Sequence, residues 1–192
     1  PISGGSHKAA TMIGLPASRL SGYVPALPTP FDERGSIDHA AFAHLCDLQI
    51  GEGANGLVVA DAAGEGTSLD IEEFAQLVRC AAQVARKRVP VIASAASNAT
   101  DKVIARTRWA EESGADALAC VAPYYNKPTQ QGVFLHFQKI ALSTGLPIFL
   151  HDAPARTACP IADATIARLA AQTQFVGLID ASGDSSRPAR LR

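Results

Sequence analysis

Short apolar runs alternate with longer stretches of helical periodicity from Gly22 onward. The runs cover residues 23–30, 56–60, 89–96, 117–123, 147–154 and 175–181. They are rich in Val, Ile, Leu and Ala and lack clean alternation with polar residues, which is the pattern of strands buried on both faces. Between them the spacing predicts five helices. The first reaches about Glu52, with Ser36 or Asp38 as its cap and Gly53 as its stop. Asp70, followed three residues later by Glu73, reads as a capping box opening the second. Asn98 or Thr100 starts the third, which ends near Gly114, and Thr129 starts the fourth, which ends near Gly145. The fifth covers 162–171.

Strands therefore recur at roughly 30-residue intervals, the size of one strand–helix–strand unit. Alternating strands and helices predict a parallel sheet. A doubly wound open sheet and an eight-stranded barrel both satisfy that order, and both put their chemistry at the C-terminal ends of the strands. No G-x-G-x-x-G follows the first run, which weakens a dinucleotide site, and no G-x-x-x-x-G-K-[ST] is present, which excludes a P-loop.

Composition narrows the class further. The chain has 192 residues, 47% of them hydrophobic, enough for one domain with a substantial core. Residues 1–20 begin small and polar and read as a flexible N-terminal arm, leaving 21–192 as the folded unit. The net charge of −1 argues against a nucleic-acid or anionic-membrane partner. The four cysteines form no C-x-x-C pair and read as small buried hydrophobes, so no zinc ribbon is expected. No secretory signal and no membrane-spanning apolar run stand out, and a cytoplasmic location is the default expectation.

Read in order, the ends of the apolar runs carry Thr29-Pro30-Phe31, Asp61-Ala62-Ala63-Gly64-Glu65, Asn98-Ala99-Thr100, Pro123-Tyr124-Tyr125-Asn126-Lys127-Pro128, Pro154-Ala155-Arg156-Thr157 and Gly177-Leu178-Ile179-Asp180. This ordered set resembles the dihydrodipicolinate synthase / N-acetylneuraminate lyase family over about residues 22–184. The resemblance implies a TIM (β/α)8-type barrel of which about six β/α units are present, strands one to six. It also implies class I aldol-type lyase chemistry on pyruvate or another small 2-oxo acid, with no cofactor. In that chemistry a lysine forms a Schiff base and makes the substrate carbon a better electron sink. One tyrosine relays protons, a second reaches across a subunit contact, and a threonine pair holds the carboxylate.

The resemblance fails at those positions. The lysine falls on Ile179, the relay tyrosine on His151, the threonine pair on Ala62 and Ala63, and the preceding glycine on Asp61. Tyr125 matches the bridging tyrosine, and Arg156 matches an arginine used for acidic second substrates. Isoleucine has no nitrogen and cannot form an imine. Lys87, Lys102 and Lys139 belong to helices or helix ends, Lys127 to a loop and Lys8 to the arm. Asp61 brings negative charge to where a 2-oxo acid would bind, which repels it.

Three functions follow as expectations: a family lyase impaired or inactive in this form, a non-catalytic barrel that binds or scaffolds an active homologue, or an altered enzyme using His151 and carboxylates. Asp61, Glu65, His151, Asp152 and Asp180 are the candidate metal ligands of the last version. Strand alternation argues against it, because His151 and Asp152 do not both face inward; no metal is therefore expected. Trp109 is expected on the outside, His39, His44 and His136 on helices without a ligand role, and Arg106 and Arg108 on a solvated helix face. The sequence stops where a sixth helix would begin, so either further residues or another chain supply the rest of the barrel, or the open edges drive assembly into a homo-oligomer, a dimer or tetramer, which is the expectation.

Overall fold

A computed structural model describes residues 21–191; the arm expected at 1–20 lies outside the described residues. Five strands form one sheet: β1 (Leu57–Val59), β2 (Val91–Ser94), β3 (Ala117–Val121), β4 (Ile148–Asp152) and β5 (Phe175–Asp180). All pairs are parallel, and the strands lie in chain order without reversal. A doubly wound sheet turns back at a switch point, so sequential order selects the barrel.

The first apolar run corrects the expectation of six strands. It meets β1 only through an isolated parallel bridge, Ala26 to Val58, with the Leu27 amide donating to the Val58 carbonyl and the Val58 amide to the Pro25 carbonyl. Pro25, Pro28 and Pro30 have no N–H. A ladder cannot be propagated through them, and the segment remains an extended flank.

The helices are α1 (His39–Gly51), α2 (Ile71–Ala85), α3 (Thr100–Glu112), α4 (Gln130–Ala141), α5 (Pro154–Thr157), α6 (Asp163–Ala170) and α7 (Arg187–Arg190). Asp38 caps α1 through the Ala41 amide, Thr129 caps α4 through the Gly132 amide, and Asp70 with Glu73 closes a full capping box on α2. The single turns α5 and α7 were not expected from the periodicity. Neither Asn98 nor Thr100 caps α3. The Thr100 hydroxyl instead meets Nδ1 of His136 at 2.9 Å.

Because side chains alternate across the sheet, two apolar layers form. The larger packs strand residues Leu57, Val91, Leu118 and Ile148 against Phe42, Phe74, Phe137 and Leu169 of the helices. Each such side chain contributes roughly 1.5–3 kcal/mol when fully buried. The smaller, on the inner face, joins Val58, Ile92, Ala117 and Ala119, with Val24, Phe149 and Ile179 against them.

Two helix residues differ from expectation. Arg106 is not a solvated group: it donates to the carbonyls of Gly66 and Leu69 and lies 5.0 Å from the Phe74 ring centroid. It clamps the loop after β1 onto the helical layer. His136 is a packing residue, as expected, but a fully enclosed one at 4% exposure. Burial pushes its pKa down to about 4, against the opposing effect of the Val121 backbone. All four cysteines are free; Cys46, Cys120 and Cys159 are buried and Cys80 is half-buried. Among the described residues no helix is long and apolar enough to cross a membrane.

Candidate active site

The inner face at the C-terminal end of the strands gathers four residues. Ser94 follows Ile92 by two positions on β2, His151 follows Phe149 by two on β4, and Ile179 stands on β5. The period of two turns all three inward. Asp61, immediately after β1, completes the group. Its Oδ1 accepts the Ser94 hydroxyl at 3.0 Å. His151 Nδ1 stands 3.5 Å from the same oxygen, too loose for a well-formed hydrogen bond, and has no other partner among the described residues.

Burial works to raise the Asp61 pKa. His151, the Ser94 hydroxyl and the Ala62 amide outweigh it and hold the carboxyl below its ordinary value. The group is therefore a carboxylate at neutral pH. Its side chain is 14% exposed and that of His151 10%, so the pair sits at the mouth with little water around it.

Ile179 pairs in register with His151 and packs on the inner apolar cluster. One step below, Gly177 pairs with Phe149. A Cβ at Gly177 would come within 2.8 Å of two Phe149 ring carbons, so the aromatic ring lies directly over the glycine. Ala62 and Ala63 are exposed in a 3-10 turn that ends at Gly64, whose carbonyl accepts the Thr29 hydroxyl at 2.7 Å. Gly66 closes this turn against β1; a Cβ there would fall 1.7 Å from the Ala60 carbonyl oxygen. Tyr125 stands out from the loop after β3, 87% exposed and with φ of 69°. Arg156 is exposed on α5 and has no ion pair among the described residues.

The opposite side of the same strands has a second polar cluster. Asp152, 1% exposed, accepts from Arg187 at 2.6 Å and from the Ile161 amide at 3.1 Å. Arg187 also reaches Asp163 at 2.9 Å and Asp180 at 3.3 Å. Alternation thus separates His151 from Asp152 and Ile179 from Asp180, as expected. The five candidate metal ligands do not converge, and no group of three His, Cys, Asp or Glu among the described residues could hold a metal ion.

Among the described residues no lysine stands on the inner face of β5 beside Ile179. Lys87 pairs with Asp116 at 2.6 Å beyond the N-terminal end of the strands, while Lys102, Lys127 and Lys139 are exposed on α3, the loop after β3 and α4. Sequence reading missed Ser94, whose signal was a lone hydroxyl two positions beyond Ile92 in an apolar run. It also missed Arg187, which has no local signal because its partners are 7 to 35 residues away in sequence.

Sequential parallel strands with helices between them define a fold of the β/α-barrel class. Residues 19–192 match the dihydrodipicolinate synthetase family. The chain belongs to that family. It is 43% identical over 172 residues to the 4-hydroxy-tetrahydrodipicolinate synthase of Thermodesulfovibrio yellowstonii, covering 90% of this chain and 59% of the relative. It is 44% identical over 174 residues to the same enzyme of Agrobacterium fabrum, again 90% and 59%. Among solved structures, the synthase of Methylacidiphilum fumariolicum superposes with a TM-score of 0.86 at 38% identity, covering 88% of this chain and 57% of the other. The chloride-inhibited enzyme of Acinetobacter baumannii complexed with pyruvate gives 0.86 at 38% identity, covering 88% and 58%. The chain thus spans about three-fifths of the length of these curated relatives.

Proposed function

We propose that this protein is a dihydrodipicolinate synthase-like barrel that does not form an imine with pyruvate. The carrying observation is Ile179, an inward-facing aliphatic side chain opposite His151 on the strand where the family resemblance puts the lysine. Imine formation needs an amine at that spot, and a side chain without nitrogen supplies none. The supporting changes agree: alanines stand at the threonine positions, and a carboxylate sits beside the histidine. A 2-oxo acid entering here would meet the like charge of Asp61 instead of hydroxyl donors.

The test is intact-mass measurement after borohydride treatment with pyruvate. The expected mass is that of the untreated chain. A stable pyruvate adduct would refute the reading and would mean that another lysine serves.

A second reading draws on the polar cluster itself. Asp61 accepts the Ser94 hydroxyl and stands 3.5 Å from His151, and Asp61 and His151 replace a glycine and a tyrosine of the resemblance, which supports a mouth re-equipped for a different ligand. Assembly as a homo-oligomer belongs to the same proposal. The bridging position, Tyr125, is held out from the described residues in a left-handed backbone conformation, where a second subunit would cover it. A monomer in sedimentation would count against it.

A further inference from the structure

The carboxylate at the mouth stands on a turn that an outer helix holds in place. The Asp61 carbonyl accepts the amides of Gly64 at 2.9 Å and Gly66 at 3.1 Å. Gly66 also lies on the strand end, so close to the Ala60 carbonyl that no Cβ fits between them. Whatever fixes Gly66 therefore fixes the backbone of residues 60 and 61. Two side chains hold the turn from outside. Thr29 donates its hydroxyl to the Gly64 carbonyl at 2.7 Å. Arg106 of α3 donates one guanidinium nitrogen to the Gly66 carbonyl at 2.9 Å and the other to the Leu69 carbonyl at 2.7 Å. Among the described residues no carboxylate pairs with Arg106. Its charge is engaged by two peptide carbonyls, and the planar fork fixes both at once. On the inner side of the turn, Asp61 Oδ1 accepts the Ser94 hydroxyl at 3.0 Å and faces His151 at 3.5 Å. At those separations a small displacement of the turn breaks the first contact and opens the second.

We propose that Arg106 is the positioning residue of the barrel mouth: through the carbonyls of Gly66 and Leu69 it sets where the Asp61 carboxylate stands against Ser94 and His151. It acts through the backbone of the turn, from the helical layer to the inner face of the sheet. The proposal goes beyond the reading that no imine forms and does not depend on it, because groups of the chain itself carry it. Burial opposes the charge on Asp61, and His151 from β4, the Ser94 hydroxyl from β2 and the Ala62 amide of the turn outweigh it. A carboxyl that loses such partners while its burial persists titrates at higher pH. The position of the turn is thus readable in the titration of Asp61.

The test uses the 192-residue chain with isotopically labelled aspartate, the carboxyl carbon resonance of Asp61 being assigned with Asp61→Asn. Arg106→Leu keeps an apolar contact for the Phe74 ring and removes both donors. Its Asp61 titration midpoint is expected to move up in pH. The backbone amides of residues 64–69 are expected to exchange faster by about tenfold or more, the usual worth of a hydrogen bond to a charged group. Arg106→Lys keeps the charge and much of the stem but cannot span both carbonyls, so its midpoint is expected to move the same way and less far. Should Arg106→Leu not fold, Arg106→Lys carries the same test. Leu169→Ala truncates a fully buried side chain on α6 and weakens the core away from the turn. It is expected to leave the Asp61 midpoint in place. A midpoint unchanged in the folded Arg106 variants, or one that moves as far in Leu169→Ala, would overturn the assignment and leave Arg106 as a packing residue.

Discussion

Replacing Arg187 by methionine removes the guanidinium that reaches the buried carboxylate of Asp152. Its side chain is 5% exposed, and it holds Asp152 at 2.6 Å, Asp163 at 2.9 Å and Asp180 at 3.3 Å, with a further bond to the Ile161 carbonyl. Burial works against its charge, and the three carboxylates more than restore it, so its pKa stands above the ordinary arginine value. The losses are unequal. Asp163 is 37% exposed and keeps Arg190 at 3.0 Å, and Asp180 is 20% exposed, so water and neighbours compensate them. Asp152 has no such recourse at 1% exposure; only the Ile161 amide remains to it. Breaking a buried pair by removing one partner costs about 3–5 kcal/mol. For a chain of this size that is a fall in melting temperature of roughly 6–20 °C. The assay is urea unfolding at constant m-value, compared with thermal unfolding. Adding Asp152→Asn to Arg187→Met removes the uncompensated charge and is expected to recover more than half of the loss. A loss below about 1 kcal/mol, or no recovery in the double variant, would refute the assignment of the cost to Asp152.

Three further outcomes are expected. His136 is held near pKa 4 when folded against an ordinary value of 6.5, so the unfolded chain takes up its proton first. Stability is therefore full above pH 6.5 and falls by about 3 kcal/mol as pH drops toward 4, with His136→Gln flattening this part of the pH–stability curve. Asp70→Ala removes the capping-box acceptor of α2 and is expected to cost about 1 kcal/mol by urea unfolding, with a cost near zero counting against the cap. Ile179→Lys alone is expected to trap little pyruvate with borohydride, because the nearby Asp61 carboxylate keeps an amine protonated. Combining it with Asp61→Gly is expected to raise the trapped fraction in intact-mass spectra, and equal trapping in both variants would remove Asp61 from the argument.

Much of the architecture was legible because it depends on local periodicity. Five apolar runs became the five strands, and Asp38, Asp70 and Thr129 capped the helices expected of them. The first run misled because its composition is that of a strand while its three prolines deny it a ladder. Arg106 misled in the opposite way. A charged residue on a polar helix reads as solvated, yet two carbonyls of the loop after β1 and the Phe74 ring receive it.

By itself the sequence determined the class of fold and the family, because strand period, turn chemistry and ordered motifs are properties of neighbouring residues. Only the tertiary structure decided which groups meet. It brought Asp61, Ser94 and His151 together from three strand ends and sent Asp152 and Asp180 to Arg187 on the other side. The reason is geometric: alternation assigns each side chain a face of the sheet, but partners on different strands are set by the register and curvature of the sheet, which depend on packing across the whole core.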